Sequence, residues 1–240
     1  MRWSQITECG PVRRRNEDWV CACPDLGVFA VADGMGGHRA GNIASKLALE
    51  VLEEYIRSSA GAGRPVQPCL LLSEGILRAN EAVYRAALAK EEWQGMGSTL
   101  NACLLLGNTL TVANVGDSRA LLLRNNGISK LTSDHSLVQE LVDGGGITEE
   151  EAFNHPRRNV LTRALGIGPR VEVDSFEYNI VQGDRLLLCT DGLCGFVTPQ
   201  RIGELMSSAD DPDTVVHRLL QEAIASGSND NITMIFLVVD

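Results

Sequence analysis

Five aspartates stand at the ends of apolar, strand-like runs. Asp18 precedes Trp19–Cys23, Asp33 follows Val28–Ala32, and Asp117 lies just past Thr109–Val115. Asp191 directly follows Arg185–Thr190, and Asp230 comes just before Ile232–Val239. A turn at Pro24-Asp-Leu-Gly27 sets Asp18 opposite Asp33, about 4.5–5.5 Å apart between Cα atoms. Two carboxylates held that close repel, and one takes up a proton unless a cation neutralises them. If the strands ending at Asp191 and beginning after Asp230 are antiparallel neighbours, those two residues also share one end. Gly116 beside Asp117 suggests a bulge or a close backbone approach. Such donors are all hard oxygens, with no Cys or His at matching spacing, which favours Mg²⁺, Mn²⁺ or Ca²⁺ over Zn²⁺. Two such ions sharing a carboxylate can bind a bridging water and lower its pKa, which gives a nucleophile for in-line attack on phosphorus. Taken singly, each Asp-Gly pair reads as well as a turn or a cap. Five together at strand ends read as a metal site.

Three further features lie close by in the sequence. Gly34-Met-Gly-Gly37 permits close backbone approach, so a main-chain carbonyl could itself be a ligand. A phosphate-cradling loop is the weaker reading, because no Lys-Ser or Lys-Thr pair follows. Arg13-Arg-Arg15 precedes Asn16-Glu-Asp18 and could clamp a phosphate in bidentate fashion, or simply pair with Glu17 and Asp18. His38 follows the glycine loop and could act as a general acid to a leaving oxygen. His135, His155 and His217 have no such context, and His217, on a helix among charges, reads as surface.

The elements that must position these residues are legible from turns and periodicity. The hairpin signals are Pro24–Gly27, Gly107-Asn108 between Ser98–Leu106 and Thr109–Val115, and Asn125-Asn-Gly127 between Ala120–Arg124 and Ile128–Leu131. Further strands are expected at Val171–Ile180, Arg185–Thr190 and Ile232–Val239. Apolar residues at helical spacing mark helices through Ile43–Ile56, Pro68–Lys90 and Val215–Ile224, the last with Asp211 as N-cap and Pro212 at its first position. Thr198-Pro199 opens a shorter helix, and Thr148-x-x-Glu151 is a capping box. Hairpins pair into antiparallel sheets whose apolar faces amphipathic helices must cover. The expected class is α+β, two packed sheets with helices outside.

The chain has 240 residues, 44% hydrophobic and 22% charged, an ordinary globular composition that we read as one domain, 1–240. Its net charge of −10 argues against nucleic acid and membrane surfaces as partners. No apolar run approaches the ~20 residues of a membrane-spanning helix, and the start MRWSQITECG has no signal-like apolar stretch. The seven cysteines are odd in number and scattered, as expected for reduced thiols of a cytoplasmic protein. Cys21 and Cys23 form a C-x-C pair that no second pair completes, and strand alternation accounts for them.

The ordered set Arg13-x-x-Asn16-Glu-Asp18, Val31-Ala-Asp-Gly-Met-Gly-Gly-His38, Gly95-Met-Gly-Ser-Thr99, Asn114-Val-Gly-Asp-Ser-Arg119, Ser133-Asp-His135, Cys189-Thr-Asp-Gly-Leu193 and Ser228-Asn-Asp-Asn-Ile-Thr233 resembles the metal-dependent protein phosphatases of the type 2C kind, and their bacterial Ser/Thr branch above all. The motifs span essentially the whole chain. The resemblance implies a central β-sandwich flanked by helices in four layers, αββα, with a binuclear Mn²⁺ or Mg²⁺ centre at one edge. By position, Asp33 would bridge two ions, Gly34 would lend its carbonyl, and Asp191 and Asp230 would hold one ion. Glu17 would act mainly through water, with Asn231 beside it behind the ligands. Asp18 and Asp117 would help hold a weaker third ion, with Asp191 shared. Arg13 would bind the substrate phosphate. Residues from about 138 to 165 would form a flap beside the site, with Gly144-Gly-Gly146 as a hinge. The implied activity is hydrolysis of phosphoserine and phosphothreonine on proteins by a metal-bridging hydroxide, in a cytoplasmic monomer. The implied partners are phosphoproteins of a cognate Ser/Thr kinase and the kinase itself. A regulatory pseudophosphatase of the same fold would be marked by lost ligands, and none is lost. A two-metal nuclease would need a basic groove that this acidic chain lacks. A cysteine phosphatase would need a Cys followed by a phosphate loop ending in Arg.

Overall fold

The computed structural model describes residues 1–36, 40–61 and 67–240. Among these residues, eleven strands form two antiparallel sheets. One sheet runs β1 (Arg2–Glu8), β11 (Ile232–Val238), β10 (Arg185–Cys189), β7 (Arg119–Arg124), β8 (Gly127–Lys130). The other runs β2 (Asp18–Cys23), β3 (Val28–Met35), β5 (Leu100–Leu106), β6 (Thr109–Val115), β9 (Asp174–Asn179), with the two-residue β4 (Gly97–Ser98) on the end of β3. Helices α1 (Gly41–Gly61) and α2 (Pro68–Ala89) cover the second sheet. Helices α5 (Asp191–Cys194), α6 (Pro199–Met206) and α7 (Pro212–Ala225) cover the first.

The period-2 alternation of each strand sorts its side chains between two apolar layers. Phe29 and Val31 face the opposing sheet, whereas Val28, Ala30 and Ala32 face the helices. On β11, Ile235 and Leu237 point inward between the sheets, and Met234 and Phe236 point to α7. Three apolar layers therefore hold four structural layers in the expected αββα order. The expected N-caps form: Asp211 accepts from the Thr214 N–H, Thr198 from the Arg201 N–H, and Thr148 and Glu151 make the reciprocal capping box. Asn125 and Asn126 take φ of 50° and 63°, the left-handed pair that a two-residue hairpin turn requires. No described helix is long and apolar enough to cross a membrane.

Several elements differ from the sequence reading, the short helices at Leu137–Asp143 and Asp191–Cys194 among them. β1 was not expected; it is an edge strand with mostly exposed or half-buried side chains, so its hydrophobic alternation is weak. The run expected as one strand from Ser98 breaks at Thr99, because Thr99 turns its hydroxyl to the backbone of Asp33. Gly144-Gly-Gly146 lies within the stretch 138–165. It ends α3 (Leu137–Asp143), where Gly145 has φ +70°, and leads to α4 (Glu149–Phe153) inside the segment. Isolated bridges Ser136–Leu161 and Ser98–Leu165 flank this stretch.

The turn before β10 carries a charge pair that gives a measurable pH dependence. Asp184 is buried and accepts from Arg124 Nε (2.8 Å), Arg124 Nη2 (2.6 Å) and the Val181 N–H (2.8 Å). Burial pushes its carboxyl up, but the guanidinium and the N–H outweigh burial and hold it below its ordinary value. A lowered carboxylate contributes stability above its unfolded pKa of about 3.9 and loses it as pH falls. Arg124→Ala should destabilise the fold at pH 7, less than loss of a fully buried pair would, since Arg124 is 39% exposed. Urea unfolding as a function of pH should show this difference shrink below about pH 4. A difference independent of pH would reject the assignment.

Candidate metal centre

The two sheets bring their Asp-bearing ends to one edge. β2 and β3 pair with Asp18 opposite Asp33, the register expected from the turn. β10 and β11 are antiparallel neighbours, Cys189 facing Met234, and the Thr190 N–H bonds the Thr233 carbonyl, so Asp191 and Asp230 leave the same end. Asp117 sits in the turn between β6 and β7. All these aspartates except Asp18 line a cleft of about 570 Å³ that also takes in Arg13 and Gly34. Asp18 lies beneath it, 2% exposed.

Close backbone packing sets the floor of the cleft. Gly34 donates its N–H to the Glu17 carbonyl (3.1 Å), and a Cβ on Gly34 would stand 2.1 Å from the carbonyl oxygen of Gly41. A Cβ on Gly192 would stand 1.8 Å from the carbonyl oxygen of Asn231, so the turn after Asp191 nests on the turn before β11. Asn231 fastens the remaining loop. Its Oδ1 accepts from the Glu17 N–H (2.8 Å), and its Nδ2 donates to the carbonyls of Cys9 (2.9 Å) and Arg15 (2.8 Å). Arg13 reaches back to Asp230 Oδ2 through Nη2 at 2.7 Å and stays half exposed at the cleft.

The electrostatics require a counter-charge. Thr190 Oγ1 donates to Asp18 Oδ2 (2.9 Å), but Asp18 Oδ1 and Asp191 Oδ1 are buried without any hydrogen-bond partner. Burial and the neighbouring aspartates push the carboxyl of Asp18 up to about 7, in part against its threonine hydrogen bonds. Burial and Asp230 push Asp191 up to about 6, against the pull of Asp33 and Arg13. Asp33 is driven well above its ordinary value by burial and by Asp18, Asp191, Asp117 and Asp230. Asp117 is raised in the same way by burial and Asp191. Burial also raises Glu17, with Arg13 opposing. Among the described residues, no three of these carboxylates come within 4.8 Å of one another; the anions spread around the cleft. Acceptor-only oxygens, two of them orphaned, fit divalent cations that prefer oxygen. His38 lies outside the described residues.

Several supporting residues escaped the sequence reading. Thr99 Oγ1 accepts from the Asp33 N–H (2.9 Å), and Ser98 Oγ donates to the Asp33 carbonyl (2.9 Å). Arg119 grips Asp134 with Nε and Nη2 (Nη2–Oδ2 2.6 Å), which fixes the turn that carries Asp117. His135 accepts the Gly116 N–H on Nδ1 (3.0 Å) and faces Asp174 with Nε2 (3.2 Å). Burial lowers the His135 pKa, consistent with a neutral ring that presents Nε2–H to Asp174. Only their place inside otherwise unexplained motifs, Ser98-Thr99 and Ser133-Asp-His135, hinted at these roles. His217 is exposed, as expected.

An αββα sandwich with an aspartate-ringed cleft at one edge defines a metal-dependent hydrolase of phosphate esters. Residues 13–141 match the family model "Protein phosphatase 2C". A serine/threonine phosphatase of Listeria welshimeri is 37% identical over 240 residues, covering 96% of this chain and 93% of its own. The crystal structure of the Mycobacterium tuberculosis serine/threonine phosphatase PstP superposes with a TM-score of 0.91 at 36% identity, covering 100% of this chain and 98% of that one. A PstP catalytic domain solved with two manganese ions superposes at 0.88 and 35% identity, covering 100% and 98%. The chain belongs to the protein phosphatase 2C family of metal-dependent protein phosphatases.

Proposed function

We propose that the cleft hydrolyses phosphoserine and phosphothreonine on proteins, and that residues 1–240 are one catalytic domain with residues 138–165 as its flap. The observation that carries this reading is the meeting of four aspartates and Arg13 at one cleft with buried Asp18 beneath it, Asp18 and Asp191 each keeping an orphaned oxygen. In this reading Asp33, the Gly34 carbonyl, Asp191 and Asp230 hold two core ions, Mn²⁺ or Mg²⁺. Asp18 and Asp117, with Asp191, hold a weaker third. When bound, the ions supply Lewis-acid activation of water and of the phosphoryl group. Arg13 is already braced by Asp230 and offers its remaining N–H groups to the phosphate, which fixes the ester for in-line attack. Asn231 and Glu17 hold the loop that carries Arg13, and Thr99 holds Asp33 in aim. His38, after the glycine loop, gives a proton to the leaving serine or threonine oxygen. The substrates are phosphoproteins of a cognate Ser/Thr kinase, the kinase among them, and the enzyme acts as a cytoplasmic monomer.

Phosphate release from a phosphothreonine and a phosphotyrosine peptide, each with Mn²⁺, Mg²⁺ or chelator, tests the reading. Release should require metal and favour phosphothreonine, and Arg13→Ala should lower kcat/KM by about 10²-fold. Chelator-insensitive release, or none from folded protein with either metal, would overturn it.

A further inference from the structure

Away from the aspartate cleft, one more group of ligating side chains converges. Alternation on β2 turns Cys21 and Cys23 to the same face, beneath α1. Glu53 and Arg57, one turn apart on α1, come down to meet them. The two Sγ atoms are 3.7 Å apart, and Cys21 Sγ is 3.8 Å from Glu53 Oε2. All three ligand atoms lie within 4.8 Å of one another, and no other Cys, His, Asp or Glu group among the described residues does this. Arg57 closes the arrangement: its Nη2 is 3.7 Å from Cys23 Sγ and 3.0 Å from Glu53 Oε1, and its Nη1 is 2.8 Å from Asp25 Oδ2.

These distances match a metal site. Two thiolates on a tetrahedral zinc, at about 2.3 Å each, stand roughly 3.8 Å apart, and a thiolate and a carboxylate oxygen at about 2.1 Å stand roughly 3.6 Å apart. They match a disulfide less well. Residues i and i+2 of a strand have Cα atoms about 6.6–6.8 Å apart, at the upper limit for a disulfide, so that bond would need the strand to distort. We propose that Cys21, Cys23 and Glu53 form a second metal site, for a thiophilic d¹⁰ cation such as Zn²⁺, chemically separate from the oxygen-lined cleft. Two thiolates and a carboxylate around M²⁺ leave one negative charge, and the Arg57 guanidinium offsets it. By holding Glu53 Oε1, Arg57 also aims Oε2 at the ion, the usual role of an outer partner. Glu53 is 39% exposed, so an ion can arrive from that side and keep a water as its fourth ligand. Each ion bound releases two thiol protons to solvent. Burial holds both thiols above their ordinary value, so affinity should rise with pH. The bound ion would clip β2 to α1, on the strand that begins with Asp18.

The test is a Cd²⁺ titration of the reduced, chelator-stripped full chain, with saturating Mg²⁺ present to engage the oxygen cleft. The readout is thiolate-to-metal charge-transfer absorption, which oxygen ligands do not give, so the result is independent of phosphatase activity. One equivalent per chain should saturate the band, and Zn²⁺ should displace it. Cys21→Ser or Cys23→Ser should abolish it. Glu53→Gln, which leaves both thiols in place, should weaken binding at least about 10-fold. Cys9→Ser should leave the band intact, since Cys9 sits by Asn231. Absence of the band in the wild-type chain, its survival in both β2 cysteine variants, or its loss in Cys9→Ser alone would overturn the proposal.

Discussion

Asp33→Asn should reduce metal-dependent phosphate release by on the order of 10³-fold, the scale of losing one preorganised electrostatic contact or more. The same change should make the metal-stripped protein more stable, and this second effect separates a ligand from a structural residue. Asp33 is held well above its ordinary pKa by burial and by four neighbouring aspartates. A carboxyl raised on folding carries its full stability below about pH 3.9 and loses it as pH rises through the folded value. Asparagine keeps the shape and removes the charge, so this loss disappears. In chelator, the melting temperature of Asp33→Asn should exceed wild type by a few degrees at pH 8, and the gap should close towards pH 4. With Mn²⁺ the order should reverse, because wild type gains binding energy that the variant cannot. Thermal melts with and without chelator check both halves. Full activity, or a variant less stable than wild type in chelator, would reject the assignment.

The second large effect is on the floor of the cleft. Gly34→Ala places a methyl 2.1 Å from the Gly41 carbonyl oxygen, 2.4 Å from its carbon and 2.5 Å from the Glu17 carbonyl oxygen. All three obstacles are backbone. None can retreat freely, since the Glu17 carbonyl also accepts from the Ser45 hydroxyl (2.6 Å) and Gly41 begins α1. Relief requires α1 to move off β3, which opens the apolar layer around Leu52 and Ile76. We expect a loss of about 4 kcal/mol or more, at the far end of point-mutation effects. At about 2–4 °C per kcal/mol for a chain of this size, the melting temperature should fall by roughly 10 °C. Activity should fall with it even below the new melting point, because Gly34 and Asp33 are consecutive. A variant that melts within about 2 °C of wild type would show that the contact is not a constraint.

Much of the site was readable because its information is local. The pairing of Asp18 with Asp33 follows from the length of one turn, and the αL asparagines at 125 and 126 and the caps at Thr148, Thr198 and Asp211 follow from residue type at fixed offsets. The edge strand β1 was not readable, since a strand that buries little carries little alternation. Nor was the break at Thr99, which exists because a residue 66 positions away offers an N–H.

By itself, the sequence determined the periods, the turns and the identity of the oxygen donors, and from these the α+β class and the metal preference. That residues 33, 117, 191 and 230 line one cleft above buried Asp18 is a tertiary outcome. That convergence depends on two sheets stacking to bury three apolar layers, a long-range condition that no short window encodes. The same stacking leaves Asp18 Oδ1 and Asp191 Oδ1 without donors, and it sets Asn231 to hold the β1–β2 loop at three points. It also brings Glu53 of α1 over Cys21 and Cys23, turning a pair that strand alternation accounts for into a set of three ligands. Spacing fixes which face a side chain takes; the burial of that face fixes what it meets.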